Sequence, residues 1–211
     1  MNMLFQSKSK SLTGTKILVE CLRQQDVKNT YLVPGESYLS VLDALTDVPE
    51  IELTVCRQEG GAAMMAAAHG KLTGRPGICM VTRGPGATNA SAGLHIACQD
   101  AIPMILFVGQ VAREMREREA FQEIDYPSAF GPLTKRVIEV MRPEDVAQAT
   151  ADALHQSTAG RPGPVAVVLP EDVTEGEAGA VDIPQPRQRA TLLPNADDIA
   201  NAVRLIDAAE H

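Results

Sequence analysis

With 211 residues the chain can bury a full core as one α/β domain, or as one domain plus a further fragment. Its formal net charge of −8 argues against a nucleic-acid backbone or an anionic membrane surface as partner. Aromatic residues are only 3% of the sequence and Trp is absent, which leaves little for stacking on bases and suits small side chains packed tightly between helices and a sheet.

Residues 1–12 are largely polar, carry Lys8 and Lys10 and have no apolar h-region, so they read as a disordered leader. Over 13–25 the apolar residues Ile17, Leu18, Cys21 and Leu22 fall at helical spacing behind a Thr-Gly-Thr start. A strand is expected over 29–33, closed by Pro34 and Gly35, then a helix over 38–45 and a second strand over 51–56. The next segment, Gln58-Glu59-Gly60-Gly61-Ala62-Ala63, opens a helix running to about residue 72. Its lack of side-chain bulk implies that something lies close against it.

The run 78–82 is apolar up to its final Thr82, as expected of a strand covered on both faces. It enters Arg83-Gly84-Pro85-Gly86-Ala87-Thr88-Asn89 and a second small-residue helix over 90–98. A fourth strand is expected over 103–110, followed by the mixed-sign charge run 113–119, which reads as a solvated face. A fifth strand over 136–140, a helix over 143–155 and a sixth strand over 164–170 complete the pattern. Strands alternating with helices imply right-handed crossovers. The expected fold class is therefore α/β: a parallel six-stranded sheet with helices on both faces, flavodoxin-like and three-layered. The domain body is expected over 13–173 and an aperiodic linker over 174–194. A helix in 195–211 reads as the first element of a truncated central domain.

Cys21, Cys56, Cys79 and Cys98 share no C-x-x-C spacing and lie in apolar stretches, the pattern of reduced thiols in a cytoplasmic protein. The four histidines have no ligand-spaced partners, and no stretch is long and apolar enough to span a membrane. A Gly-rich turn after a strand invites a dinucleotide. Here, however, the third glycine position holds Asn89, and the next strand ends in Gly109-Gln110 where an acid would hold a ribose. No phosphate loop and no nucleophile elbow occur.

An isolated Glu59 would ordinarily do no more than favour a helix N-terminus through the macrodipole. Three strand ends nevertheless converge by topology: Pro34-Gly35-Glu36, Gln58-Glu59-Gly60 and Thr82-Arg83-Gly84-Pro85-Gly86. They meet at the carboxyl edge of the sheet, where such folds bind ligands.

These segments, with Val108-Gly109-Gln110-Val111, Ala120-Phe121-Gln122-Glu123 and Gly160-Arg161-Pro162-Gly163, resemble the N-terminal pyrimidine-binding domain of thiamine diphosphate enzymes, the acetolactate synthase-like ones above all. The resemblance runs from about Thr13 to Val173. It implies that Glu59 is the carboxylate that shares a proton with pyrimidine N1′ of thiamine diphosphate, with Mg2+ and the diphosphate held by a domain absent from the chain. It further implies that Pro34, Gly35, Glu36, Gly84, Pro85 and Asn89 border the pyrimidine. Phe121 and Gln122 would then reach a 2-keto acid substrate, Gln122 as a catalytic residue beside Glu59. Arg161 matches a position that approaches a flavin in acetolactate synthases, which brings in FAD as a second cofactor. Gln58, Gly60, Glu36 and Arg83 depart from the acetolactate synthase pattern and count against both that activity and the flavin.

The implied function is the pyrimidine-binding half of a thiamine diphosphate-dependent lyase or transferase acting on 2-keto acids, inactive as an isolated piece. It would work as a homodimer or tetramer joined through this domain's face. The alternative is a non-catalytic flavodoxin-like binding or regulatory module.

Overall fold

The computed structural model describes residues 12–187 and 193–210; the remainder of the expected leader, residues 1–11, lies outside them. A two-residue strand, β1 (Leu12–Thr13), runs directly into helix α1 (Gly14–Gln24), which Thr13 caps by accepting from the Lys16 amide. There follow β2 (Asn29–Leu32), α2 (Leu39–Thr46), β3 (Glu52–Val55) and α3 (Glu59–Thr73). Next come β4 (Gly77–Val81), a one-turn helix α4 (Pro85–Asn89), α5 (Ser91–Gln99) and β5 (Met104–Gln110). A long loop leads to α6 (Tyr126–Phe130), then β6 (Arg136–Glu139), α7 (Val146–Thr158) and β7 (Pro164–Pro170). The chain closes with α8 (Glu171–Glu175), β8 (Glu177–Ala178) and α9 (Ala196–Asp207). Among the described residues no helix is long and apolar enough to cross a membrane.

The six expected strands form one sheet, parallel at every pairing, in the order β3-β2-β4-β5-β7-β6. The continuous apolar runs of β4, β5 and β7 reflect burial on both faces. Ile78, Met80, Ile105, Phe107, Val165 and Val167 point into one core with Ile17, Leu18, Leu22 and Leu45 from α1 and α2. The alternate residues Cys79, Val81, Leu106, Val108, Ala166 and Val168 face a second core with α3, α5 and α6. Parallel pairing of Leu32 with both Val55 and Met80, and of Val81 with Val108, brings the carboxyl ends of β2, β3, β4 and β5 to one edge.

The small residues of α3 are explained by what lies beneath them. A Cβ placed on Gly77, the first residue of β4, would sit 1.8 Å from the Ala66 carbonyl oxygen, so helix backbone rides directly on strand backbone. Ala62, Ala63, Ala66 and Ala67 are buried along that line. Gly74, at φ 69°, then ends the helix in the left-handed conformation expected of a glycine stop.

The two ends of the body are fastened in ways that no periodicity foretells. Leu12, expected in the leader, pairs antiparallel with Ala178, and Thr13 with Glu177. In the segment expected as a linker, Val181 and Ile183 pack against the first core. Gln24 and Gln25 donate to the carbonyls of Ile183 and Pro184, and Arg187 pairs with Asp152 at 2.8 Å. Isolated apolar residues between prolines thus bury without regular structure, and the packed body continues past 173 to Arg187. The helix expected near the end is α9, capped by Asn195 and exposed along its whole length.

Candidate functional site

Thr82, the residue after β4, ties the converging strand ends together. Its Cβ lies 2.3 Å from where a side chain on Gly35 would begin, so the turn after β2 closes directly onto it. Its hydroxyl shares a 2.8 Å hydrogen bond with the buried Ser37 hydroxyl, which also accepts from the Arg83 amide at 3.1 Å. Tyr38 donates to the carbonyls of Val33 and Met80, bridging the same two strands. Burial raises its phenol well above the ordinary range and keeps it a neutral donor.

Glu59 is the first residue of α3 and half buried. Gln58 caps the helix, its side-chain oxygen accepting from the Gly61 amide at 2.9 Å, so Glu59 is not needed as the cap. One carboxylate oxygen accepts from the Asn89 side chain at 3.0 Å, and the other lies 3.4 Å from the place a Cβ on Gly86 would take. The acid is therefore held on one side by an amide from α4, faces backbone without a side chain on the other, and sits at the positive end of a helix. Such an arrangement holds a carboxylate in one orientation beside backbone that a partner could approach closely. Pro34 and Pro85 are exposed, Pro85 as the first residue of α4.

A second group of residues adjoins the first. Arg83 is buried to within 9% of its side-chain surface and pairs with Glu171, while Glu36 stands 3.6 Å from its other terminal nitrogen. Its Nε donates to the Phe121 carbonyl at 3.2 Å. Gly84, at φ 54°, donates from its amide to the Tyr126 hydroxyl at 3.0 Å, and a Cβ there would meet the Gln122 carbonyl at 2.4 Å. Burial pushes the Tyr126 phenol up to about 12. Gln122, at φ 64°, and Phe121, 73% exposed, are thus carried on the turn beside Gly84.

The structure brings together Gly35, Glu36, Glu59, Gly84, Asn89, Phe121 and Gln122, but not Arg161. That residue precedes β7 and so lies at the opposite edge, where it donates to the carbonyls of Cys98 and Gln99 at the end of α5. The opposite edge also opens a cavity of about 360 Å³, lined by Asp26, Lys28, His69, Arg75 and Arg187 among others. Its cations are met by carboxylates: Asp26 pairs with Lys28 and Arg75, and Asp152 with Arg187. The charge run 113–119 is only partly a solvated face. Arg113 pairs with Asp172, and Arg116 with Glu139 at 2.8 Å, both tying the loop down. Thr82, Ser37 and Tyr126 were not evident as site residues. A Thr-Arg pair ending an apolar strand was the one local signal.

A family model described as the thiamine pyrophosphate enzyme N-terminal TPP binding domain matches residues 12–129. The chain is similar to the acetolactate synthase large subunit of Corynebacterium glutamicum, 37% identical over 202 residues, covering 94% of this chain and 32% of that protein. It is 35% identical to the acetolactate synthase isozyme 1 large subunit of Escherichia coli, over 97% of this chain and 36% of that one. Against the chloroplastic acetolactate synthase of Arabidopsis thaliana it is also 35% identical, over 93% and 30%. The chain spans about a third of the length of these relatives.

Proposed function

Because the chain belongs to the thiamine pyrophosphate enzyme family through its N-terminal TPP binding domain, we propose that it is the pyrimidine-binding half of an acetolactate synthase-like lyase or transferase acting on 2-keto acids. The observation that carries this reading is the placement of Glu59: a carboxylate at a helix start, oriented by Asn89 and facing the bare backbone of Gly86. The missing side chain at Gly86 supports this reading, because a Cβ there would stand 3.4 Å from the acid.

Bound thiamine diphosphate would supply the electron sink for making or breaking a carbon–carbon bond next to a carbonyl. Glu59 would hold or release a proton at pyrimidine N1′, and Asn89 would keep its carboxylate aimed at that atom. Pro34, Gly35, Glu36, Gly84 and Pro85 would border the ring, with Phe121 and Gln122 above the reacting carbon. Diphosphate and Mg2+ would be held by residues other than these, and no residue here is assigned to FAD.

The outer faces of α3 and α5 expose Met64, Met65, Leu72 and Ile96, an apolar surface that would join a second copy in a homodimer or tetramer. The four free thiols suit a reducing compartment such as the cytoplasm.

In the full-length protein, Glu59→Gln is expected to lower cofactor-dependent turnover by about 10²–10⁴-fold, the range for losing a positioned proton-transfer group, with the folded spectrum unchanged. Near-normal turnover of a 2-keto acid by that variant would remove Glu59 from the mechanism. Sedimentation should show the chain self-associating; a clean monomer at high concentration would count against the shared face.

A further inference from the structure

We propose, resting on the function proposed above, that Arg83 is a positioning residue for that reaction: it anchors the loop 113–124 so that Phe121 and Gln122 stand beside the strand ends that carry Gly84 and Glu36. A guanidinium buried this deeply is costly unless every side of it is met. Arg83 meets three separate segments at once. They are Glu171 after β7, Glu36 after β2, and the Phe121 carbonyl in the loop after β5. The planar fork of arginine suits this, because Nε and the two terminal nitrogens point in different directions. The single ammonium of lysine cannot serve all three.

The Arg113–Asp172 and Arg116–Glu139 pairs fix the start of the loop and the Glu117 amide donates to the Glu123 side chain, which leaves the stretch around Gln122 in need of such an anchor. Glu117, Glu119 and Gln122 all have positive φ, at 60°, 55° and 64°, each an unfavourable conformation for a residue with a Cβ. Of the loop's own backbone bonds, Arg116 to Arg113 and Glu123 to Ala120 close only single turns. The Arg83–Phe121 bond acts on the peptide immediately before the left-handed Gln122, and the missing side chain of Gly84 lets the Gln122 carbonyl approach. Arg83 and Gly84 therefore dock Phe121 and Gln122 as a pair. The guanidinium's Nε and Nη1 are engaged within the protein, and the exposed Glu36 carboxylate faces Nη2, so the group is arranged to hold the loop rather than to receive an anionic substrate.

The test compares Arg83→Lys and Arg83→Ser with the parent in the full-length protein. Amide hydrogen exchange over 116–124 should quicken by about tenfold or more in both, which corresponds to about 1.4 kcal/mol, while β4 and β5 keep their protection. Loop exchange as slow as in the parent would overturn the anchoring role. The ratio of kcat/KM for two 2-keto acids differing by one methylene should shift at least several-fold in Arg83→Lys; an unchanged ratio with a loosened loop would overturn the link to substrate choice. Should Arg83→Ser not fold, Glu171→Gln, which removes the nearer of the guanidinium's two charged partners, carries the exchange measurement with the same two outcomes. If the parent turns over no 2-keto acid, the proposed function fails while the exchange data still decide whether Arg83 holds the loop.

Discussion

Replacing Gly86 with alanine separates two opposed effects at the centre of the site. Gly86 lies in α4, where alanine in place of glycine normally gains about 0.5–1 kcal/mol. Here the new Cβ would come within 2.7 Å of Thr82 Cγ2 and 3.4 Å of a Glu59 carboxylate oxygen. Thr82 has little room to retreat, since its hydroxyl is bonded to Ser37 and its other face is closed by Gly35. Overpacking of this kind costs about 1–3 kcal/mol, so the clash outweighs the helical gain and Gly86→Ala should be net destabilising by about 1–2 kcal/mol. Urea unfolding followed by circular dichroism would register this as a midpoint lowered by about 0.5–1 M. Thr82→Ser keeps the hydroxyl and deletes the offending methyl, at a cost of about 0.5–1.5 kcal/mol alone. In the double variant the alanine methyl should occupy the vacated space, making the loss smaller than the sum by at least about 1 kcal/mol, beyond the scatter of independent sites. A Gly86→Ala protein as stable as the parent, or strictly additive losses, would refute the close packing of Thr82 behind the acid.

Two further expectations follow from the same contacts. A Cβ on Gly93 of α5 would lie 2.4 Å from the Cβ of Ala63, whereas one on Gly61 would meet nothing within 4 Å. Gly93→Ala should therefore lose about 1–3 kcal/mol and Gly61→Ala should lose none, and equal effects in denaturant titrations would contradict the direct seating of α3 on α5. Burial pushes the Cys21 thiol up to about 12 and raises that of Cys79 as well, while Cys56 and Cys98 are partly exposed. At pH 7–8 a thiol reagent should modify Cys56 and Cys98 in the folded protein and reach Cys21 and Cys79 only on unfolding; rapid native labelling of Cys79, read by mass spectrometry, would overturn the packing of the second core.

The sheet was legible because its inner strands declare themselves twice. Gly77-Ile78-Cys79-Met80-Val81 is apolar at every position, and glycine or proline bounds each run, so length and punctuation separate strand from helix. The placement of Glu59 was legible for a related reason, as an acid between a strand and a helix with almost no side chains. The pairing of Leu12 with Ala178 was not legible, because two residues carry no periodicity and their partners lie far apart in the chain. Arg83 stood out in the sequence only as an odd residue before Gly-Pro-Gly. Its partners Glu36, Phe121 and Glu171 come from three other segments, and only the register of β2, β4, β5 and β7 brings them to it. Thr82 stood within a converging segment, but its role was not readable: a threonine ending a strand is ordinary, and its contacts are to Ser37 and to glycines that have no side chain to announce them.

The position of the acid is set by backbone more than by side chains. α3 rests on β4 at Gly77 and on α5 at Gly93, at separations no Cβ could share, and Asn89 reaches Glu59 from the helix joined directly to α5. Contacts between backbones have no rotamers to adjust, so the distance from Glu59 to Asn89 is fixed once the strands are in register. The same economy strips the inner face of α3 of bulk and leaves its outer face with Met64 and Met65, each more than 40% exposed. One helix therefore carries the acid at its start, the closest packing on its inner side and the apolar surface proposed for a second copy on its outer side. Displacing α3 by the width of one methyl group at Gly93 would be felt at the carboxylate and at that surface together.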